Sequence, residues 1–262
     1  MSEVVSGAVP GAPEPVGPDT AVVVRLTPSR ERRPDSAPLV REAAADALRV
    51  PPGEIRIGRE PGGRPRLGGA AEGLHVSVSH CAGAVAVALS RLGPVGVDVE
   101  RLRPLPAVAL GRRWFSAAEA RWLADRAAEE QPAAFLWLWT HKEAIGKVRG
   151  LGLSEGGLRR PVPYPSGLSW SDGLSWPDGL AQPDGLPHPD GPARTDGPPW
   201  TDAGPWAASP RLARPVLAPV PGEPGMSTAA PRVPGGYLLA VAAAGPAAPG
   251  APVVVTGPGP SP

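Results

Sequence analysis

WTHKEAIGKVRG, Trp139–Gly150, and VGVDVE, Val95–Glu100, are the two stretches from which the rest of the chain can be read. In the first, Trp139, Glu143 and Lys147 recur every four residues, so on a helix they share one stripe. Phe135, Leu138, Ile145 and Val148 form a neighbouring apolar stripe, which predicts a helix from about Pro132 to Arg149, buried on one side and stopped by Gly150. In the second stretch, Val95, Val97 and Val99 alternate with Gly96, Asp98 and Glu100. A strand would turn the valines to a core and hold Asp98 and Glu100 about 7 Å apart on its other face. Two carboxylates so placed can converge on one cation.

Outward from these stretches the chain reads as follows. In LHVSVS, Leu74, Val76 and Val78 alternate with His75, Ser77 and Ser79. CAGA turns the chain, VAVALS (85–90) returns it, RLGP turns it again, and VGVDVE makes the third strand of a predicted meander. AVVVRL (21–26) predicts a strand, and PSRERRPD (28–35) a basic loop carrying Arg30, Arg32 and Arg33. Ser36 is the expected cap of a helix through Pro38 and Arg41 to about Leu48. Residues 51–73 read as turns around GGRPRL (62–67). Ser116 and Glu119 form an S-x-x-E capping box that opens a helix to about Ala124. YLLAVAAA (237–244) and VVV (253–255) predict closing strands.

Composition narrows the function classes. The chain has 262 residues with 34 Gly and 39 Pro, so less of it can fold than its length suggests. Much of that Gly and Pro lies in residues 1–20, read as a disordered tail, and in a six-residue repeat (WSDGLS, WPDGLA, QPDGLP, HPDGPA, RTDGPP, WTDAGP). A period of six fits neither helix nor amphipathic strand, so 161–205 is expected to be a low-complexity surface insertion. A net charge of +1 offers no case for nucleic acid. Cys81 is the single cysteine, which excludes an internal disulfide and a cysteine-based zinc site and is read as packing. No apolar run reaches the ~18 residues of a membrane span. With no basic, apolar leader at the start, a cytoplasmic protein is the expectation. The only lysines are Lys142 and Lys147, both in the WTHKEAIGKVRG stretch.

GVDVE followed by WTHKEAIGK resembles the signature of the Sfp-type 4′-phosphopantetheinyl transferases, a G-[VI]-D strand and then [FW]-x-x-KE-[SA]-x-x-K. Asp98 and Lys142 stand 44 positions apart, a separation that fits that signature. The Trp and KEA form is similar to one branch of the family. HVSVSHCAGAVAVAL resembles the family's N-[LIV]-S-H-S strand-turn-strand, and GGRP its G-K-P loop, with Arg64 in place of lysine. The resemblance is good over 62–153, weaker at 21–49 and 235–255, and the N-terminal helical region is short for the family.

The resemblance implies an α/β (α+β) fold of two similar lobes with pseudo-twofold symmetry and a ligand cleft between them. The lobes would be 21–110 and 111–160 with 206–256, leaving 257–262 as a tail. It implies transfer of the phosphopantetheine arm of coenzyme A to a serine of an apo acyl or peptidyl carrier protein, with Mg²⁺, by a monomer. Asp98, Glu100 and Glu143 are the implied metal ligands; hard oxygen ligands suit Mg²⁺, and three close carboxylates would otherwise repel. Glu143 is also the candidate base for the serine, and Lys147 the group that neutralises the leaving phosphate. Ser79, His80, Arg33, Arg41, Arg64 and Lys142 are the remaining candidates for contacts to coenzyme A, with Lys142 alternatively bracing Glu143.

Each feature alone has a plainer reading. Asp98 and Glu100 can be a solvated strand face, Glu143 and Lys147 a surface pair worth a few tenths of a kcal/mol, His80 a turn residue, and Trp139 a core or cleft-wall residue. Their joint order carries the case. Two other function classes stay open: a degenerate coenzyme A- or carrier-binding protein on the same fold, and a Pro-rich interaction protein working through the repeat.

Overall fold

The computed structural model describes residues 17–31, 34–165, 215–233 and 235–257. Arg32, Arg33 and residues 166–205 of the expected insertion, with Trp170, Trp176 and Trp200, lie outside the described residues.

The order of elements is β1 (Val22–Ser29), α1 (Ser36–Leu48), β2 (Ile55–Arg59), β3 (Pro65–Gly69), β4 (His75–Cys81), β5 (Gly83–Ser90), β6 (Val95–Arg101), α2 (Ala107–Trp114), α3 (Ala117–Ala124), α4 (Gln131–Arg149), β7 (Ala218–Pro219), β8 (Met226–Ala229), β9 (Tyr237–Ala244) and β10 (Val253–Thr256). Among the described residues they form a mixed α/β structure with two four-stranded sheets, β10-β1-β5-β4 and β6-β9-β8-β7, and the hairpin β2-β3.

Three apolar clusters organise the layers. Val22, Val24 and Leu26 of β1 pack with Ala84, Ala86 and Ala88 of β5 against Val95, Val97 and Val99 of β6 and Leu239 and Val241 of β9. This core lies between the two sheets. Behind the first sheet, Val40, Ala43 and Ala44 of α1 join Ile55 and Leu67 of the hairpin over Val76, Val85, Val87 and Leu89. Behind the second, Leu138, Ile145 and Val148 of α4 cover Leu238, Ala240 and Ala242 of β9. Burial of these side chains, at about 25 cal/mol per Å² of apolar surface, is the main force that holds the layers together.

Several expectations are corrected here. Val95, Val97 and Val99 do face a core, but β6 does not extend the meander. It pairs antiparallel with β9 in the second sheet, Asp98 opposite Ala240. Its opposite face lies under α4. A side chain at Gly96 would meet the Ala144 carbonyl oxygen at 2.0 Å, so glycine is required for this close approach. The helix expected from Ser36 is capped by Asp35, whose carboxylate accepts from the Ala37 N–H at 3.0 Å. The Gly- and Pro-rich stretch 51–73 contains an antiparallel hairpin, Ile57 opposite Leu67. β10, expected with the second lobe, pairs in parallel with β1 in the first sheet.

The S-x-x-E box is formed as expected: Ser116 Oγ accepts from the Glu119 N–H, and Glu119 Oε2 accepts from the Ser116 N–H at 3.0 Å. Helix α4 also ends where expected, at Gly150 with φ 73°. Among the described residues no helix is long and apolar enough to cross a membrane.

Candidate active site

The two sheets meet along one edge, β4 beside β6, and the join is made by serines rather than by a backbone ladder. Ser77 Oγ accepts from the Val97 N–H at 3.1 Å, and Ser79 Oγ from the Val99 N–H at 3.4 Å. Both serines stand at positions of β4 that face inward, where an apolar side chain could not satisfy the N–H groups of β6. The Ser79 hydroxyl in turn donates to Asp98 Oδ1 at 2.7 Å. Ser79 therefore fixes one oxygen of Asp98 from the side of the first sheet.

Helix α4 fixes the same oxygen from the other side. Lys147 Nζ donates to Asp98 Oδ1 at 2.8 Å and to the Val97 carbonyl at 2.8 Å. The second oxygen, Asp98 Oδ2, is buried and has no hydrogen-bond partner. A buried carboxylate oxygen left alone costs free energy unless it gains a proton or a cation. Burial accordingly pushes the Asp98 carboxyl above its ordinary range, with Lys147 and Ser79 pulling the other way.

Glu143 stands one turn before Lys147, half-buried on the predicted stripe. Burial raises its pKa first; the negative charges of Asp98 and Glu100 raise it further, and Lys147 lowers it. Glu143 thus senses the carboxylates of Asp98 and Glu100 across β6 and α4. Glu100 is paired with Arg103 Nη1 at 2.7 Å, so Lys147 and Arg103 supply the nearby positive charge. Among the described residues no group of three or more His, Cys, Asp or Glu side chains is drawn together as a metal centre.

The other candidates fall in different places. His80 is the penultimate residue of β4 and is exposed. Arg41 is half-buried on α1, behind the first sheet. Arg64, at the head of β3, sends Nη2 to the Val95 carbonyl at 3.1 Å and to the Lys147 carbonyl at the end of α4. It ties the hairpin to the two elements of the site by satisfying a carbonyl of the helix's last turn. Arg33 lies outside the described residues. Trp139 packs on Trp114 and Phe135, with ring centroids 5.6 and 6.2 Å apart, as a core or wall residue would.

Lys142 is the correction. It was expected to contact a diphosphate or to brace Glu143. The structure buries it completely on another face of α4, with Nζ 2.6 Å from Glu119 Oε1 and also donating to the Arg160 carbonyl. Reading Glu119 as a capping residue alone missed this second role. A lysine needs an anionic partner only when it is buried, and the sequence does not show that this face of α4 is closed.

Residues 94–162 match the family model described as the 4′-phosphopantetheinyl transferase superfamily. The chain is 34% identical over 118 residues to the 4′-phosphopantetheinyl transferase psf-1 of Bacillus pumilus, a match covering 45% of this chain and 49% of that protein. It is 29% identical over 116 residues to the 4′-phosphopantetheinyl transferase Sfp of Bacillus subtilis, covering 44% and 50%. It is 38% identical over 89 residues to the 4′-phosphopantetheinyl transferase AcpT of Salmonella typhimurium, covering 34% and 46%. The chain spans about half the length of the curated relatives it matches. The family match takes in Asp98, Glu100, Glu143 and Lys147, so the site built by β6 and α4 lies within the part of the chain similar to this superfamily.

Proposed function

We propose that the chain transfers the 4′-phosphopantetheine arm of coenzyme A to a serine of an apo acyl or peptidyl carrier protein and releases adenosine 3′,5′-bisphosphate. The observation that carries this reading is Asp98. It is buried and held at one oxygen by Ser79 and Lys147, and its other oxygen is bare. Similarity of residues 94–162 to the transferase superfamily supports it.

The donor set suits Mg²⁺. It is all carboxylate oxygen, and Asp98 Oδ2 is an orphaned oxygen with no competing donor. Asp98, Glu100 and Glu143 would hold the ion. Bound there, Mg²⁺ would supply charge neutralisation for the diphosphate.

The chain's own residues would do the rest. Glu143 accepts the proton of the carrier serine, and its raised affinity for protons suits that role. The serine oxygen forms a bond to the phosphorus that bears the pantetheine arm, and the bond from that phosphorus to the adenosine-side phosphate breaks. Lys147 moves from Asp98 towards the charge that builds on the leaving phosphate. His80 and Arg41 are the remaining candidates for phosphate contacts, and Ser79 acts by orienting Asp98. The finer architecture belongs to the same proposal: two lobes related by a pseudo-twofold, a cleft between them, and a monomer that needs no second copy.

A second reading is a coenzyme A- or carrier-binding protein without turnover. Two expected phosphate contacts are already engaged, Arg64 by main-chain carbonyls and Lys142 by Glu119, and this favours it. Intact mass spectrometry of apo acyl and peptidyl carriers incubated with the protein, coenzyme A and Mg²⁺ separates the two. A gain of one phosphopantetheine arm, abolished by EDTA, is expected. Coenzyme A binding with no gain on any carrier would establish the second reading.

A further inference from the structure

We propose that the buried pair Glu119–Lys142 is a positioning device for α4, setting the rotation of the helix and so the aim of Glu143 and Lys147; this rests on the reading of the site as a transferase site. Lys142 and Glu143 are adjacent on α4, about 100° apart around its axis. Lys142 meets α3 through Glu119 at 2.6 Å and meets the segment after α4 through the Arg160 carbonyl. Glu119 is itself held by the Ser116 backbone and hydroxyl at 3.0 and 2.8 Å. The chain of contacts continues: Arg160 Nε lies 3.0 Å from Glu223, which also pairs with Arg149 in the last turn of α4. Directional bonds therefore grip α4 on the side away from β6, while Lys147 Nζ and the close approach at Gly96 grip it on the β6 side.

Stability alone is a poor reason for this arrangement. Taking both charges out of water costs most of what their attraction returns, and well-packed apolar residues often serve as well. Directionality is what the pair adds. A rotation of α4 by about 10° shifts a group at its ~6 Å outer radius by ~1 Å, and misplacement of that size costs about a hundredfold in a positioned reaction. Burial lowers the affinity of Lys142 for its proton, opposed by the Glu119 carboxylate, so the ammonium depends on its partner.

The test is the double variant Glu119→Gln/Lys142→Met in the full chain. Gln keeps the capping box, and Met keeps the length and apolar body of lysine without stranding a charge. The proposal expects a melting temperature within about 3 °C of wild type, coenzyme A affinity by calorimetry within about twofold, and kcat lower by about tenfold or more with KM unchanged. Wild-type kcat in a folded double variant would overturn it. If the double variant does not fold, Glu119→Gln alone, whose one amide oxygen keeps the box and which leaves Lys142 the Arg160 carbonyl as acceptor, decides: a kcat loss of about threefold or more at wild-type KM supports positioning, and an unchanged kcat overturns it. No transfer by the wild-type chain would overturn the reading of the site and this proposal with it.

Discussion

The chain has two lysines, both on α4, and each is paired with a carboxylate, yet the two pairs are built for opposite ends. Lys142–Glu119 is closed: the side chains are 0% and 3% exposed, Nζ has a second acceptor in the Arg160 carbonyl, and Glu119 spends its other oxygen on Ser116. Lys147–Asp98 is open: the lysine side chain is 27% exposed, and Asp98 keeps a bare buried oxygen. Five residues along one helix separate a saturated pair from an unsaturated one. Saturation marks scaffold; a bare buried acceptor beside a partly exposed cation calls for an explanation, which the proposed metal would supply.

The largest effect that would break this comparison is on turnover. Glu143→Gln should lower the transfer rate by about 10²–10⁴-fold, the usual weight of a general base, with coenzyme A affinity nearly unchanged. Single-turnover kinetics and calorimetry measure the two separately. Near-normal rates would remove Glu143 from the chemistry and leave the open pair without a base.

Next in size is stability, where the order of the lysines reverses. Lys142→Ala strands a buried carboxylate and should cost about 3–5 kcal/mol. Lys147→Ala should cost less, about 1–3 kcal/mol, because Asp98 keeps the Ser79 hydroxyl and takes up a proton more readily than an ordinary carboxylate. Urea unfolding of the two variants reads the difference. Equal losses would mean that the closed and open pairs are the same kind of contact.

The smallest effect is on pH dependence without metal. Asp98 and Glu143 both have folded pKa values raised above their ordinary ones. The folded state then binds more protons than the unfolded state, so their contribution to stability is full at low pH and falls as pH rises through the raised values. In EDTA the melting temperature should therefore rise modestly from neutral pH to just above the ordinary carboxylate range, and Mg²⁺ should remove the trend. A fall over that interval would contradict the assignment of bare, buried carboxylates. The proposed transfer activity should have the opposite slope, lost on acidification as Glu143 takes up its proton.

Much of this was legible beforehand, for stated physical reasons. Period-two alternation placed Val95, Val97 and Val99 on one face of a strand and Asp98 on the other, and the four-residue recurrence placed Glu143 and Lys147 on one stripe. Alternation reports faces and says nothing of partners, so β6 was expected beside β5 and is found beside β9. The hairpin of β2 and β3 was hidden by its glycines and prolines, and α2 by its brevity.

Lys142 was misjudged because α4 is buried on more than one side. Leu136, Thr140, His141 and Lys142 are as covered as the apolar stripe, so periodicity could not say which polar face was open. His141 shows the same surroundings: burial drives its pKa down to about 4, and its Nδ1 lies 2.8 Å from the Trp137 carbonyl. Ser79 was singled out by resemblance, but its use as a bridge between sheets, shared with Ser77, needed the register of two strands that do not pair.

The most direct test of the open pair is Mn²⁺ binding, as a stand-in for Mg²⁺, measured by electron paramagnetic resonance in the presence of coenzyme A for wild type and Asp98→Asn. The account predicts binding by wild type and an affinity weaker by about tenfold or more in the variant, with both proteins equally folded. Equal affinity in the two would contradict it, because Asp98 Oδ2 would then not be the oxygen that waits for a metal.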